Sequence, residues 1–421
     1  MKKKLLAALL ITVALAGTFA QQQKITVMFQ ATGDEGKAFK AMFDRFTKDT
    51  GIQIEPMFVP HDVYFEKFTA AVASKRVPDV MQLDAPFLAN FVWNGYLVPL
   101  TGLLDQKVLD DLTPSSRAQG TYPIDGQLYA FGNADSTVLL FGSKKLLKAA
   151  GVRIPTGIKD AWTKDEFDDA LAKLAKLPDV KWPLDMFRAY GIKTEWATYA
   201  FQPVFESFGG KLIDTTTWKA KGALDSPESV AAATEIQSWV KKGYVVPSSS
   251  GTNALYRDKD KAALAWGGNW YWSEAYPTMK DDLVAIPLPN FGKGVKSPNG
   301  TWIWGITRYA KNPKAAAKFI NYLANDKQFA KELPGVYPGL KSWASVLPAY
   351  TDPTKMKVAF DQANVAVPRP AYPGYPVITT AFQTAFDNIL SGADPKQELS
   401  KAAALIDQDS LDHDGYPPFG D

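Results

Sequence analysis

The chain has 421 residues, 46% hydrophobic and 22% charged, with two histidines and no cysteine. A chain of this length can bury large cores without disulfides and is expected to form two or three domains. Its formal charge of +3 belongs to the N-terminus, because residues 1–20 carry three lysines and no acid; without them the chain is neutral, which excludes a basic nucleic-acid surface.

MKKK, LLAALLITVALA and GTFA read as the basic, apolar and cleavage regions of a secretory signal, cut after Ala20. The apolar run from Leu5 to Ala16 is shorter than the roughly 20 residues of a bilayer span. No cysteine follows it to accept a lipid, so a freely diffusing periplasmic protein is expected.

KITVMFQ (24–30) alternates Ile25, Val27 and Phe29 and predicts a strand. Phe39, Met42, Phe43 and Phe46 then fall on one face of a helix that stops near Gly51. IQIEPMFV (52–59) is a second strand, Asp62 can cap a helix bearing Phe65, Phe68 and Val72, and PDVMQLD (78–84) is a third strand. This alternation predicts a parallel, doubly wound sheet in a first lobe. Beyond residue 140, Thr163 and Glu166 form a capping box ahead of Phe167, Leu171 and Leu174. Ser226-Pro227, Asn312-Pro313 and Asp394-Pro395 open three further helices. The chain reads as α/β throughout, in two lobes.

With only His61 and His413 and no thiol, metal sites built on His or Cys and thiol catalysis have no support. No Gly-x-Ser-x-Gly, phosphate-binding loop or dinucleotide fingerprint is present. A carboxylate pair could hydrolyse a glycosidic bond, but no spacing singles one out.

The order of short motifs is more specific. PDVMQLDAPFLANFVWNGYLVPLTGLL (78–104) precedes GQLYAFGNADSTVLLFGSKKLLKAAGV (126–152), WTKDEF (162–167) and FESFGGKLID (205–214). KAALAWGGNWYW (261–272), VAIPLPNF (284–291), GTWIWGITRYAKNPKAAAKFINYL (300–323) and VAVPRPAYPGYPVITTAF (365–382) follow. Together these resemble the extracellular carbohydrate-binding proteins of ABC importers, most closely the trehalose/maltose-binding branch, over essentially the whole chain after residue 20.

That resemblance implies two α/β lobes of the class II periplasmic-binding-protein fold, a crossing hinge, and sugar held in the cleft between them. It places the N-terminal lobe in 21–134 and 285–330 and the C-terminal lobe in 135–284 and 331–421. Crossings are expected near 133–136, near 285 and within 325–340. It implies a carbohydrate ligand, membrane permease subunits as partners, a monomer, no catalysis and no cofactor.

The candidate ligand-binding residues are weighed one by one. Trp270 and Trp272 match the family's aromatic pair; a flat ring covers the C–H face of a pyranose while polar groups reach its hydroxyls. Both could instead be core. Trp302 matches a cleft tryptophan, and Trp304, two positions on, shares its strand face. Asp84 ends the third strand, where ligands sit in open α/β sheets, although it could cap the next helix. Arg369 matches a cleft arginine whose planar fork can bridge hydroxyls, or it forms a salt bridge in the hinge. Tyr375 is a cleft wall or packing, and Glu35 a sugar contact or a helix-dipole acid. His61 is merely near the expected cleft. The family's crossing acid falls on Ser136, with Asp135 one position early; either Asp135 takes that role, or Ser136 makes the contact and Asp135 caps a turn. Rival readings are a polyamine or phosphorylated polyol binder on the same fold, and a secreted glycoside hydrolase.

Overall fold

The computed structural model describes residues 23–31, 33–186, 191–248, 253–256, 262–333, 337–346 and 353–418. Residues 1–20, read above as a secretory signal, lie outside them.

Two sheets organise the chain. The first runs, side by side, Gln53–Phe58, Lys24–Phe29, Val80–Asp84, Trp302–Ile306 and Ala130–Gly132. Its first three strands are parallel, as the alternation predicts. The fourth, arriving from late in the chain, is antiparallel to both neighbours, so the sheet is mixed rather than parallel. The second sheet runs Trp182–Asp185, Ala262–Gly268, Val138–Ser143 and Leu283–Ile286, with only the first pair parallel.

Each sheet buries a face against helices. On the first, the stripe of helix Gly33–Thr50 is sealed: Phe39, Met42, Phe43 and Phe46 are at most 6% exposed. Phe43 and Phe46 pack against Phe319 of helix Pro313–Asn325, and Phe39 meets Trp304 and Phe329. On the second, Trp239, Trp266 and Phe167 interlock, and Phe201 stacks on Trp266. Thr163 and Glu166 make the reciprocal cap of helix Lys164–Leu174, and Ser226, Asn312 and Asp394 each accept from a backbone N–H at a helix start. Capping satisfies donors that a helix cannot pair internally. The helix after the second strand begins at Tyr64, following a 3-10 turn at His61–Val63; the side chain of Asp62 lies outside what is described. Among the described residues, no helix is long and apolar enough to cross a membrane.

The chain leaves the first sheet after Gly132 and joins the second at Val138. It returns later than residue 285. Leu283–Ile286 is still a strand of the second sheet, and Asn290 and Lys293 donate backbone hydrogen bonds to Trp162 and Ser207. Prolines end this strand without ending its attachment, and the return occurs between Ser297 and Trp302. Two short ribbons knit the passage: Ala134–Asp135 with Tyr337–Pro338, and Ser297–Pro298 with Ala366–Val367. Leu340 and Trp343 still belong to the first core, whereas helix Pro353–Ala363 packs on the second sheet. Within the expected range 325–340, Tyr337–Pro338 pairs with the first crossing at Ala134–Asp135.

Candidate ligand-binding cleft

Asp84 is the last residue of its strand and Trp302 the first of its antiparallel neighbour, and the two are register partners. This pairing sets a carboxylate beside an indole at the C-terminal edge of the first sheet, the edge that binds ligands in open α/β sheets. Trp302 is half-buried and meets Tyr64 and His61 edge-on, with ring centroids 5.3 and 5.4 Å away. Trp304 is fully buried in the first core, so its nominal sharing of a face with Trp302 does not bring both into the cleft.

Asp84 does not cap the following 3-10 turn. Its two oxygens accept from Nη1 and Nη2 of Arg369, at 2.8 and 2.7 Å. The same Nη1 donates to Glu195 at 2.6 Å. Glu195 begins helix Glu195–Phe208, and its carboxylate also accepts from the hydroxyls of Tyr375 and Thr379. Burial pushes Glu195 above the usual carboxylate range, with Arg369 opposing that shift. Burial works against the Arg369 charge as well, and Asp84 and Glu195 outweigh it. The cluster joins a first-sheet strand end, a second-sheet helix and the segment after Val367. Tyr375 is fully buried, its ring edge-on to Phe87, and holds Glu195.

On the other side, Trp266 is core, its indole N–H bonded to the Ala200 carbonyl. Trp270 is half-buried and lies back over Gly268, where an added Cβ would sit 2.1 Å from the indole. The glycine is thus required by the ring above it. Trp270 stacks on Tyr199, with centroids 6.3 Å apart and planes at 23°, and meets Trp196 edge-on. Asn269, beside it, accepts from the Thr137 N–H and donates its own N–H to the Thr137 carbonyl. Trp272 is half-buried and stacks on Tyr276 one turn along. Glu35 is half-buried in the first turn of helix Gly33–Thr50.

At the first crossing Asp135 and Ser136 part. Asp135 accepts from Ser115, Gln119 and Asn299 side chains and from the Ser136 N–H. Burial raises its carboxyl above the usual range, and those donors counter the shift. Ser136 instead meets Tyr199, its Oγ 2.9 Å from the phenol oxygen. Asp135→Ala should leave three side-chain donors without their acceptor and lower stability by about 1–3 kcal/mol. Urea unfolding measures that loss, and an unchanged midpoint would show the buckle to be dispensable.

The structure brings Asp84 together with Arg369 and Trp302, and sets Glu195, Trp196, Tyr199 and Tyr64, which the sequence reading did not single out, beside the expected residues. The available cue was the aromatic start of TEWATY (194–199), an acid followed by Trp196 and Tyr199 at a helix start.

Two mixed sheets, joined by paired crossings and lined with rings and carboxylates at their facing edges, define a two-lobed binding protein. The bacterial extracellular solute-binding protein family model matches residues 30–328, and the chain belongs to that family. It is similar to the galactooligosaccharide-binding protein of Bacillus subtilis, 23% identical over 387 residues, covering 88% of this chain and 86% of that one. It is also similar to that organism's maltodextrin-binding protein, 25% identical over 262 residues, 60% of this chain and 57% of the other. Among solved structures, the GacH receptor of Streptomyces glaucescens, described unliganded and with acarbose, superposes with a TM-score of 0.77 at 24% identity, covering 92% of this chain and 98% of that one. A substrate-binding protein of Listeria monocytogenes in complex with cycloalternan gives 0.78 at 20% identity, over 93% and 99%.

Proposed function

We propose that this chain is the periplasmic binding component of an ABC sugar importer. It takes a di- or oligosaccharide of the trehalose/maltose type between its lobes, closes around it and presents it to permease subunits. The observation that carries this reading is the pairing of half-buried rings with acids on both sides of the crossing: Trp302 with Asp84, and Trp270 above Tyr199 with Glu195 on the same helix. Rings cover the C–H faces of a pyranose, and carboxylates accept its hydroxyl protons in charge-assisted bonds. Sugar-binding names among the relatives support the same reading.

In this reading Trp270, Trp272 and Trp302 line the cleft, and Asp84 accepts from ligand hydroxyls. Arg369 holds Asp84 and Glu195, and among the described residues its buried Nε has no hydrogen-bond partner. Ser136 stands closer to the cleft than Asp135, while Tyr375 supports Glu195 from behind. Glu35 is a contact from the first lobe's rim. The lobes are 21–134 with the returning strand and helices to residue 346, and the remainder. The protein acts as a secreted monomer, needs no cofactor and makes or breaks no bond.

Tryptophan fluorescence of residues 21–421 titrated with trehalose, maltose, maltotriose, sucrose, glucose and xylose tests this. A saturable change at micromolar sugar, about 8 kcal/mol of binding, without release of reducing ends, is the expected result. One observation favours a second reading: Arg369 faces two carboxylates, a surplus that suits a cationic solute. Silence to every sugar with a response to spermidine would establish it.

A further inference from the structure

The hydroxyl chain at the crossing has a defined direction. Ser136 has one proton, and its Oγ lies within hydrogen-bonding reach of both the Gly300 carbonyl and the Tyr199 phenol. A carbonyl can only accept, so Ser136 donates to Gly300 and Tyr199 donates to Ser136. The relay runs from the second-lobe helix Glu195–Phe208 through the outgoing crossing at Ser136 to the returning crossing at Gly300. Ser136 and Gly300 are also bridged by their backbones.

Three more contacts converge on the same ring. Trp270 stacks on it. The Arg369 guanidinium carbon sits 5.1 Å from its centroid. Gly300 approaches so closely that a Cβ there would lie 2.4 Å from Cε2. Tyr199 is only 7% exposed, so its ring has little surface for ligand. It touches the ring proposed to carry the sugar and, at the same time, both passing chains and the guanidinium that binds Asp84.

We propose that Tyr199 is a positioning residue that couples the Trp270 face to the arrangement of the two crossings. Ligand seated on Trp270 holds Tyr199 against Gly300 and Arg369, and the relay to Ser136 and Gly300 then fixes the crossings in the closed arrangement. The reverse also holds, because coupling is reciprocal: an intact relay preorganises Trp270 before ligand arrives. This deepens the sugar-binding reading and rests on it for the ligand, but the conformational half stands without it.

The test exploits the absence of cysteine. Exposed Lys48 on the first lobe and Lys173 on the second, each changed to Cys, take spin labels that report the distance between lobes with and without maltose. Tyr199→Phe keeps the ring and removes only the relay donor; Ser136→Ala removes the same bond from the other end together with the onward bond to Gly300. Each should shift the ligand-free distance distribution and weaken sugar affinity about three- to tenfold, while the double variant is little worse than either single one. Gly300→Ala, which displaces the ring, should do more. Unchanged distances and affinity in Tyr199→Phe, or additive losses in the double variant, would overturn the coupling. Should the parent protein bind none of the sugars, the sugar reading fails, and the ligand-free distances alone decide for or against Tyr199.

Discussion

Arg369→Ala should lower the stability of the protein by about 3–5 kcal/mol, the usual cost of breaking a buried ion pair from one side. The side chain of Arg369 is 3% exposed, and those of Asp84 and Glu195 are 11% and 10% exposed. Removing the guanidinium strands two largely buried carboxylates, which costs more than the pair itself contributes. Arg369→Lys should recover only part of this, since a single ammonium cannot reproduce the fork to Asp84 while also reaching Glu195.

The deficit should depend on pH, with a definite sign. Burial raises Glu195 even with Arg369 opposing. A carboxyl raised in the folded state contributes stability below its unfolded pKa, and that contribution is lost as pH rises through the folded value. Without Arg369 the opposing pull disappears, so the loss near neutrality grows. Urea midpoints of parent and variant should converge as pH falls from 7 toward about 4.5, where ordinary Glu protonates. A deficit constant across that range would show that lost packing, rather than stranded charge, carries the effect.

Trp270→Ala has the largest expected effect on binding, about 10- to 100-fold in affinity or about 1.4–2.7 kcal/mol. The indole is held flat by Gly268 beneath and Tyr199 beside it, so little ordering remains to oppose ligand. Gly268→Ala offers a second route to the same loss, because its Cβ would collide with the indole. Calorimetric titration with whichever sugar responds best measures both. Parent-like affinity in Trp270→Ala would remove this ring from the cleft, and parent-like affinity in Gly268→Ala alone would show that its position is not fixed from below.

Much of the fold is legible in the sequence because it is local. The phenylalanine stripe of residues 39–46 and the caps at Thr163, Ser226, Asn312 and Asp394 are each set by neighbours within a few positions, and each forms as spaced. The return crossing is misplaced because prolines in VAIPLPN look like an exit, while the bonds that retain it come from Trp162 and Ser207. The candidate site is only half legible for the same reason. Asp84 at a strand end carries a local signal, but its partner is Arg369, which in turn holds Glu195, and both are remote in sequence. Glu195 at a helix start looks like any acid near a positive dipole end.

The placement of Trp302–Ile306 inside the first sheet has a bearing on synthesis. That strand fills the gap between Val80–Asp84 and Ala130–Gly132, so neither has its full complement of ladder bonds until more than 300 residues have left the ribosome. Contacts separated this far in sequence form late because a long loop must close before they contribute. An N-terminal lobe that waits for its fourth strand stays incomplete for most of translation, the state that the proposed export through a narrow channel would require.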